Sequence, residues 1–433
     1  MRKHEPLVYL RRPSSEELTT SLGWHNRRMP NLPTELRPLE ELRERHSSKW
    51  RRFNRDVLPM HVAEMDYEIA PGIKSLIIDF VTRSDLGYTG PIPELGDAFA
   101  GFAKRHWNWS VEPTDVRLAT DVGVGSVEIL RAAGKPGDKV VINSPVYHSF
   151  YEWIKEAGMQ VVDAPLIREK VGGPTAEEPD SFEKPVTLWR LDIDAIEAAF
   201  KAGAKFFLMC NPQNPVGRMH THSELRQVAA LAAKYDVLVI SDEIHAPMAY
   251  PGETFTPYLA VSDEAKQTGV VVTSASKTFN LAGLKASIVV SQSDEVRAKL
   301  TKLPEAMHWR SSLIGAFAMA EAYENGDAWL KGTMMTLADS RKLLAAEIAE
   351  KLPTVDFHLP ENGYLAWLDL SSLNLGDKPA ALLLAKEKVA FVPGDEHGEA
   401  FGQFVRINFA CRPASIRAAI DKIANQAAKA ARK

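Results

Sequence analysis

At 433 residues, with 45% hydrophobic and 25% charged side chains, the chain has the make-up of a soluble globular protein able to bury one large core and a smaller one. A formal charge of −4 offers nucleic acid or an anionic membrane little counterion release, so neither is an expected partner. No apolar run approaches a transmembrane span, the first thirty residues carry no signal-peptide core, and Cys210 and Cys411 lie too far apart for a C-x-x-C metal or redox motif. A cytoplasmic protein without a metal centre is expected.

Residues 1–30 bear arginine and proline with little periodicity and read as an N-terminal extension. From 71 to 310 apolar strands alternate with helical stretches. That is the α/β pattern of a large domain whose mostly parallel central sheet is flanked by helices. Within it, Thr120-Asp121-Val122-Gly123-Val124-Gly125-Ser126 precedes a helical run at 127–133, so amides at a helix start are offered to phosphate oxygens. The Gly-x-Gly there is not a complete dinucleotide fingerprint. The stretch 171–185 is charged, rich in proline and glycine, and longer than an ordinary connection, which predicts a surface loop.

Phe206-Phe207-Leu208-Met209-Cys210 predicts a buried strand emptying into the loop 211–218, where two prolines and Gly217 fix a turn that can present the Asn214 amide in one orientation. Thr221 and Glu224 have capping-box spacing for a helix at 225–235. Val237-Leu238-Val239-Ile240 reads as a strand of a buried parallel sheet, delivering Asp242 and His245 at its carboxyl end, the edge at which open α/β sheets bind ligands. Val270-Val271-Val272 leads into Ser274-Ala275-Ser276-Lys277-Thr278-Phe279-Asn280. From 313 the chain turns helix-rich, then strand-like at 364–370 and 404–409. Residues 31–70 and 311–433 are assigned together to a smaller α+β domain.

Chemistry concentrates at three strand ends. A lysine beside hydroxyls that grip phosphate suits a covalent bond from Lys277 to the aldehyde of pyridoxal phosphate. An acid at position 242 suits the pyridine nitrogen, keeping it protonated so that the ring accepts electrons. Asn214 suits the phenolic oxygen. Each string alone is commonplace; their succession in this order is not.

These motifs resemble the fold type I pyridoxal-phosphate enzymes of the class I/II aminotransferase superfamily, the resemblance running from about Asp56 to Ala414. Within that superfamily the chain is most similar to the MalY/PatB group of carbon–sulfur β-lyases, the cystathionine β-lyases. Asp-Glu-Ile-His at 242–245, Ser-Lys-Thr-Phe-Asn-Leu-Ala-Gly-Leu at 276–284, Ala63-Glu64-Met65-Asp66-Tyr67 and Gly87-Tyr88-Thr89 carry that similarity. Departures are His61 for the usual tryptophan, Glu64 for aspartate, Tyr67 for phenylalanine and His397 for phenylalanine. The first three fall in a segment expected to line the substrate entrance.

The resemblance implies that Val124 and Gly125 give backbone amides to the phosphate, Ser274 and Ser276 hydroxyls, and Lys285 a charge. It also implies that Tyr147 stacks on the ring and that Tyr88 reaches the phosphate and substrate from the partner of a homodimer with active sites at its interface, while the position of His245 near Asp242 suggests contact with the cofactor oxygen or with the surroundings of Asp242. Arg406, whose planar fork matches a carboxylate, is the implied clamp for the substrate. The expected reaction is α,β-elimination from cystathionine or a related cysteine S-conjugate, with Lys277 as base. Transamination between an amino acid and a 2-oxo acid is the alternative, since it uses the same residues. A regulator that keeps pyridoxal phosphate as a mere ligand, as where this fold is fused to a DNA-binding domain, fits less well: the 1–30 arm is too short for such a module.

Overall fold

The computed structural model describes residues 36–171 and 186–432. The predicted extension at 1–30 lies outside the described residues, as does the predicted loop at 171–185 except for Val171, which ends a strand paired antiparallel with the one resuming at Val186.

Seven strands form the main sheet: β1 Val116–Ala119, β2 Lys139–Ile142, β3 Gln160–Asp163, β4 Phe206–Cys210, β5 Leu238–Asp242, β6 Gly269–Thr273 and β7 Ser287–Val290, in the order β1-β7-β6-β5-β4-β2-β3. Strand β7 runs antiparallel to both neighbours and the other pairs are parallel. Both faces are covered, so successive residues of one strand enter different cores. Phe207 and Met209 join one, Phe206, Leu208 and Cys210 the other. That double burial is why the run shows no polar alternation.

A second sheet takes Asp356–Phe357, Leu365–Asp369, Phe404–Asn408 and Val392–Pro393 in that order, all antiparallel. Its core includes Leu344, Ile348, Leu368, Val405 and Ile420, together with Met60, Met65 and Tyr67 of the entrance segment. The helix Leu313–Asn325 packs instead on a core of the large sheet, its Tyr323 ring 5.3 Å from Phe99. Among the described residues no helix is long and apolar enough to cross a membrane.

The loop after β4 is shaped as its composition predicts. Gly217 sits at φ +77°, and a Cβ there would lie 2.7 Å from Pro360, so a side chain is barred by both backbone and space. The capping box also forms: Thr221 Oγ1 accepts from the Glu224 amide and Glu224 Oε2 from the Thr221 amide. The helix therefore starts at His222, earlier than the apolar spacing indicates. Glu224 does more than cap, because it takes both Nη groups of the buried Arg218 at 3.1 and 2.9 Å and the Leu191 amide at 3.0 Å. Burial alone would raise its pKa; the Arg218 hydrogen bond and the neighbouring charges outweigh that and bring it down to about 2.

Glu224→Ala leaves Arg218 buried and unpaired, so denaturant titration should show a loss of about 3–5 kcal/mol. Since the folded carboxyl is depressed, its contribution is present above the ordinary glutamate pKa and disappears as pH falls towards about 2. Wild type should lose stability over that window by more than Glu224→Gln does.

Candidate active site

Because β4, β5 and β6 are parallel, their carboxyl ends deliver Asn214, Asp242 and Lys277 to one edge of the sheet. Lys277 Nζ donates to the Ala63 carbonyl at 3.0 Å. Burial, reinforced by the positive Arg406, brings this amine down to about 8, so a sizeable fraction is neutral near physiological pH. Asp242 is buried and accepts the Ile244 amide at 3.1 Å; burial pushes it up to about 7 against the pull of that bond and of Lys277.

The neighbouring acid Glu243 is spent on structure, accepting from Ser241 Oγ at 2.9 Å and the Tyr258 amide at 2.8 Å. His245 is buried and held at about 3 by burial and by the charges of Lys277 and Arg406, so its ring is neutral.

Arg406 lies on the second sheet, paired with Trp367 and Val392. Its Nη1 donates to Asn214 Oδ1 at 3.1 Å, its Nη2 to the His61 carbonyl at 2.9 Å, and its buried Nε has no partner among the described residues. The bond to Oδ1 settles which way the Asn214 amide points, leaving Nδ2 as its donor end.

At the other end of the site the helix Val122–Ala133 begins five residues ahead of the run at 127–133 because Asp121 caps it. The Val124 amide donates to Asp121 Oδ1 at 2.8 Å and the Gly125 amide to the Asp121 carbonyl at 2.8 Å, while Lys285 Nζ sits 3.0 Å from Asp121 Oδ2. Ser274 Oγ donates to the Ala286 carbonyl at 2.7 Å and accepts the Ser276 amide at 3.0 Å. Of the phosphate candidates, Lys285 is exposed and Ser276 half-buried, whereas Val124, Gly125 and Ser274 are engaged inside the chain. Tyr147 is half-buried, its ring 4.7 Å from His148 and 5.7 Å from Trp153. Tyr88 is not brought into this cluster within one chain, its side chain being 92% exposed.

Several residues that shape the site escaped the motif reading. Tyr364 Oη donates to the Ala63 carbonyl at 3.2 Å and reaches the Lys277 carbonyl at 3.4 Å. Asn280 clamps Met65 through both its amide and its carbonyl, at 3.0 and 2.9 Å. Asn408 Nδ2 holds the Val62 and Glu64 carbonyls at 2.6 and 2.7 Å. A signal for Asn408 exists: it stands two residues from Arg406 in an otherwise apolar strand, hence on the same face. Behind them Lys49 and Asp66 form an ion pair of 2.5 Å with side chains only 1% and 3% exposed.

This donor set fits pyridoxal phosphate. A buried acid lies within the field of an amine of lowered pKa, an amide donor is oriented by Arg406, and a guanidinium retains an unused buried N–H for a carboxylate. Uptake of pyridoxal phosphate by the apoprotein, read from visible absorbance, should therefore rise with pH through about 8. In Arg406→Met the midpoint should move upward, since removing a nearby positive charge eases protonation of Lys277. A wild-type midpoint in the ordinary lysine range would contradict the burial of this amine.

The chain is 34% identical over 391 residues to the cystathionine beta-lyase of Corynebacterium glutamicum, covering 89% of this chain and 98% of that protein. It is 30% identical over 375 residues to the cystathionine beta-lyase PatB of Bacillus subtilis, covering 85% and 92%. In three dimensions it resembles cystalysin of Treponema denticola, a structure that contains pyridoxal 5'-phosphate, with a TM-score of 0.81 at 23% identity over 92% of this chain and 98% of that one. That likeness gives the architecture, the fold type I of pyridoxal-phosphate enzymes. Residues 55–423 match the family described as aminotransferase class I and II, and with most of its length and its relatives in agreement, the chain belongs to that family.

Proposed function

We propose that this protein is a pyridoxal-phosphate-dependent carbon–sulfur β-lyase that cleaves cystathionine or a related cysteine S-conjugate to a thiol, pyruvate and ammonia. The observation that carries the reading is the meeting of half-buried Lys277 and buried Asp242, at the carboxyl edge of the large sheet, with buried Arg406 of the second sheet. Support for the substrate class comes from the relatives named cystathionine beta-lyase.

When bound, the cofactor supplies a carbonyl that takes up the amino group of the substrate and a ring that accepts the electron pair left at Cα. The chain's residues do the rest. Arg406 holds the α-carboxylate through its remaining N–H groups and so fixes the direction of the Cα–H bond. Lys277 Nζ, its pKa brought down to about 8 so that a sizeable fraction is neutral, receives the Cα proton. Asp242 would hold a proton on the ring nitrogen, Asn214 Nδ2 would donate to the phenolic oxygen, and Lys285 with Ser276 would hold the phosphate. Where Cβ carries sulfur, the thiolate departs, and water then converts the remaining three-carbon unit to pyruvate and ammonia.

The purified holoenzyme incubated with cystathionine should release thiol and pyruvate in equal amounts without any added 2-oxo acid. Turnover that demands a 2-oxo acid and yields no thiol would replace this reading with transamination.

The same reading places the protein in the cytoplasm, supported by the buried free thiols of Cys210 and Cys411, and in a homodimer. Its support for the dimer is the exposed apolar surface of Ile78, Val81, Leu86, Tyr88 and Trp309. If Tyr88 serves the partner's site, Tyr88→Ala and Lys277→Ala, each inactive alone, should regain activity when mixed and allowed to exchange subunits. No recovery from a mixture proven to contain heterodimers would place Tyr88 elsewhere.

A further inference from the structure

Within the field of the Arg406 clamp stand three imidazoles that the reaction leaves unused. His61 is 4% exposed, and neither of its ring nitrogens has a hydrogen-bond partner among the described residues. Its main-chain carbonyl accepts from Arg406 Nη2 at 2.9 Å, which anchors the ring within one residue of the clamp. His148 Nδ1 and His397 Nε2 are likewise buried and unpartnered, and the two rings lie 5.8 Å apart. His397 is oriented by its Nδ1, 2.8 Å from the Val146 carbonyl.

A buried polar atom without a partner is costly, and four of them within the field of one guanidinium point to a group that arrives from outside. The charges nearby say which kind. Arg52 is exposed, its guanidinium 5.8 Å from the Phe53 ring, which in turn meets the His61 ring edge-on at 4.9 Å. The fields of Arg52 and Arg406 both reach His61 and His148. Glu396 is an acid within the fields of these two arginines.

We propose that His61, His148 and Arg52 form a subsite for a carboxylate carried at the far end of the substrate's sulfur substituent. The proposal rests on the lyase reading and on Arg406 as the clamp for the α-carboxylate. Imidazole N–H groups and the Arg52 fork donate to the distal carboxylate, with Arg406 occupied by the proximal one. His61, where the resembling group carries tryptophan, makes this wall a hydrogen-bonding one.

The test compares S-(2-carboxyethyl)cysteine with S-propylcysteine, which differ by a carboxylate for a methyl, in the wild-type holoenzyme, in His61→Phe and in the surface variant Arg52→Ala. The ratio of kcat/KM values, carboxyethyl over propyl, should favour the carboxylate in wild type and fall about tenfold or more in His61→Phe. It should fall in Arg52→Ala as well, and His61→Gln, which keeps a donor, should recover part of it. Equal ratios in wild type and variants would overturn the subsite.

Calorimetric binding of glutarate against valerate to the same holoenzymes reads the subsite without turnover. Glutarate should bind more tightly than valerate in wild type and lose that advantage in His61→Phe. If neither cysteine conjugate is cleaved but the glutarate preference behaves in this way, the lyase reading fails and the subsite stands; if conjugates are cleaved with no such preference, the reverse holds.

Discussion

A guanidinium that is 3% exposed cannot draw on water for its hydrogen bonds and must find them in the protein. Arg406 finds them in two other parts of the chain, the Asn214 side chain in the loop after β4 and the His61 carbonyl in the entrance segment, while its own backbone belongs to the second sheet. One ion thus keys together the large sheet, the small sheet and the wall of the entrance. Burial lowers its pKa to about 10, which still leaves it charged at neutral pH. That persistent charge helps to lower the Lys277 amine and to keep His61, His148 and His245 uncharged.

The readiness of the site for proton transfer comes from burial more than from unusual residue types. An aspartate brought up to about 7 and a lysine brought down to about 8 are both displaced towards neutrality by the same dry surroundings, each being in part the other's counterweight. Strand geometry decides which acid does this. Asp242 lies within reach of the lysine's field, whereas Glu243, one residue on, is absorbed by Ser241 and the Tyr258 amide.

What could be read from the sequence follows the range of the forces involved. The strands β4, β5 and β6 declare themselves as apolar runs, and the turn at Gly217 and the box at Thr221 and Glu224 are short-range devices, so all of these are legible in order. Lys277, Asp242 and Asn214 stand out because they punctuate strand ends. Tyr364 over Ala63 and Asn280 over Met65 do not, since each joins residues more than two hundred positions apart and depends on how the two sheets are docked. The helix start at Val122 was hidden for a different reason: a single aspartate cap outweighs the glycines around it and draws the Val124 and Gly125 amides into the chain's own bonding.

The pairing of Lys49 with Asp66 bears on how the entrance behaves over time. Separating two ions in a dry interior is costly enough that the segment carrying His61 and Ala63 is pinned from behind. Side chains on that segment are thus presented from a fixed backbone. A change in what this wall contacts is then a matter of exchanging its side chains, because the backbone beneath them is held by that ion pair.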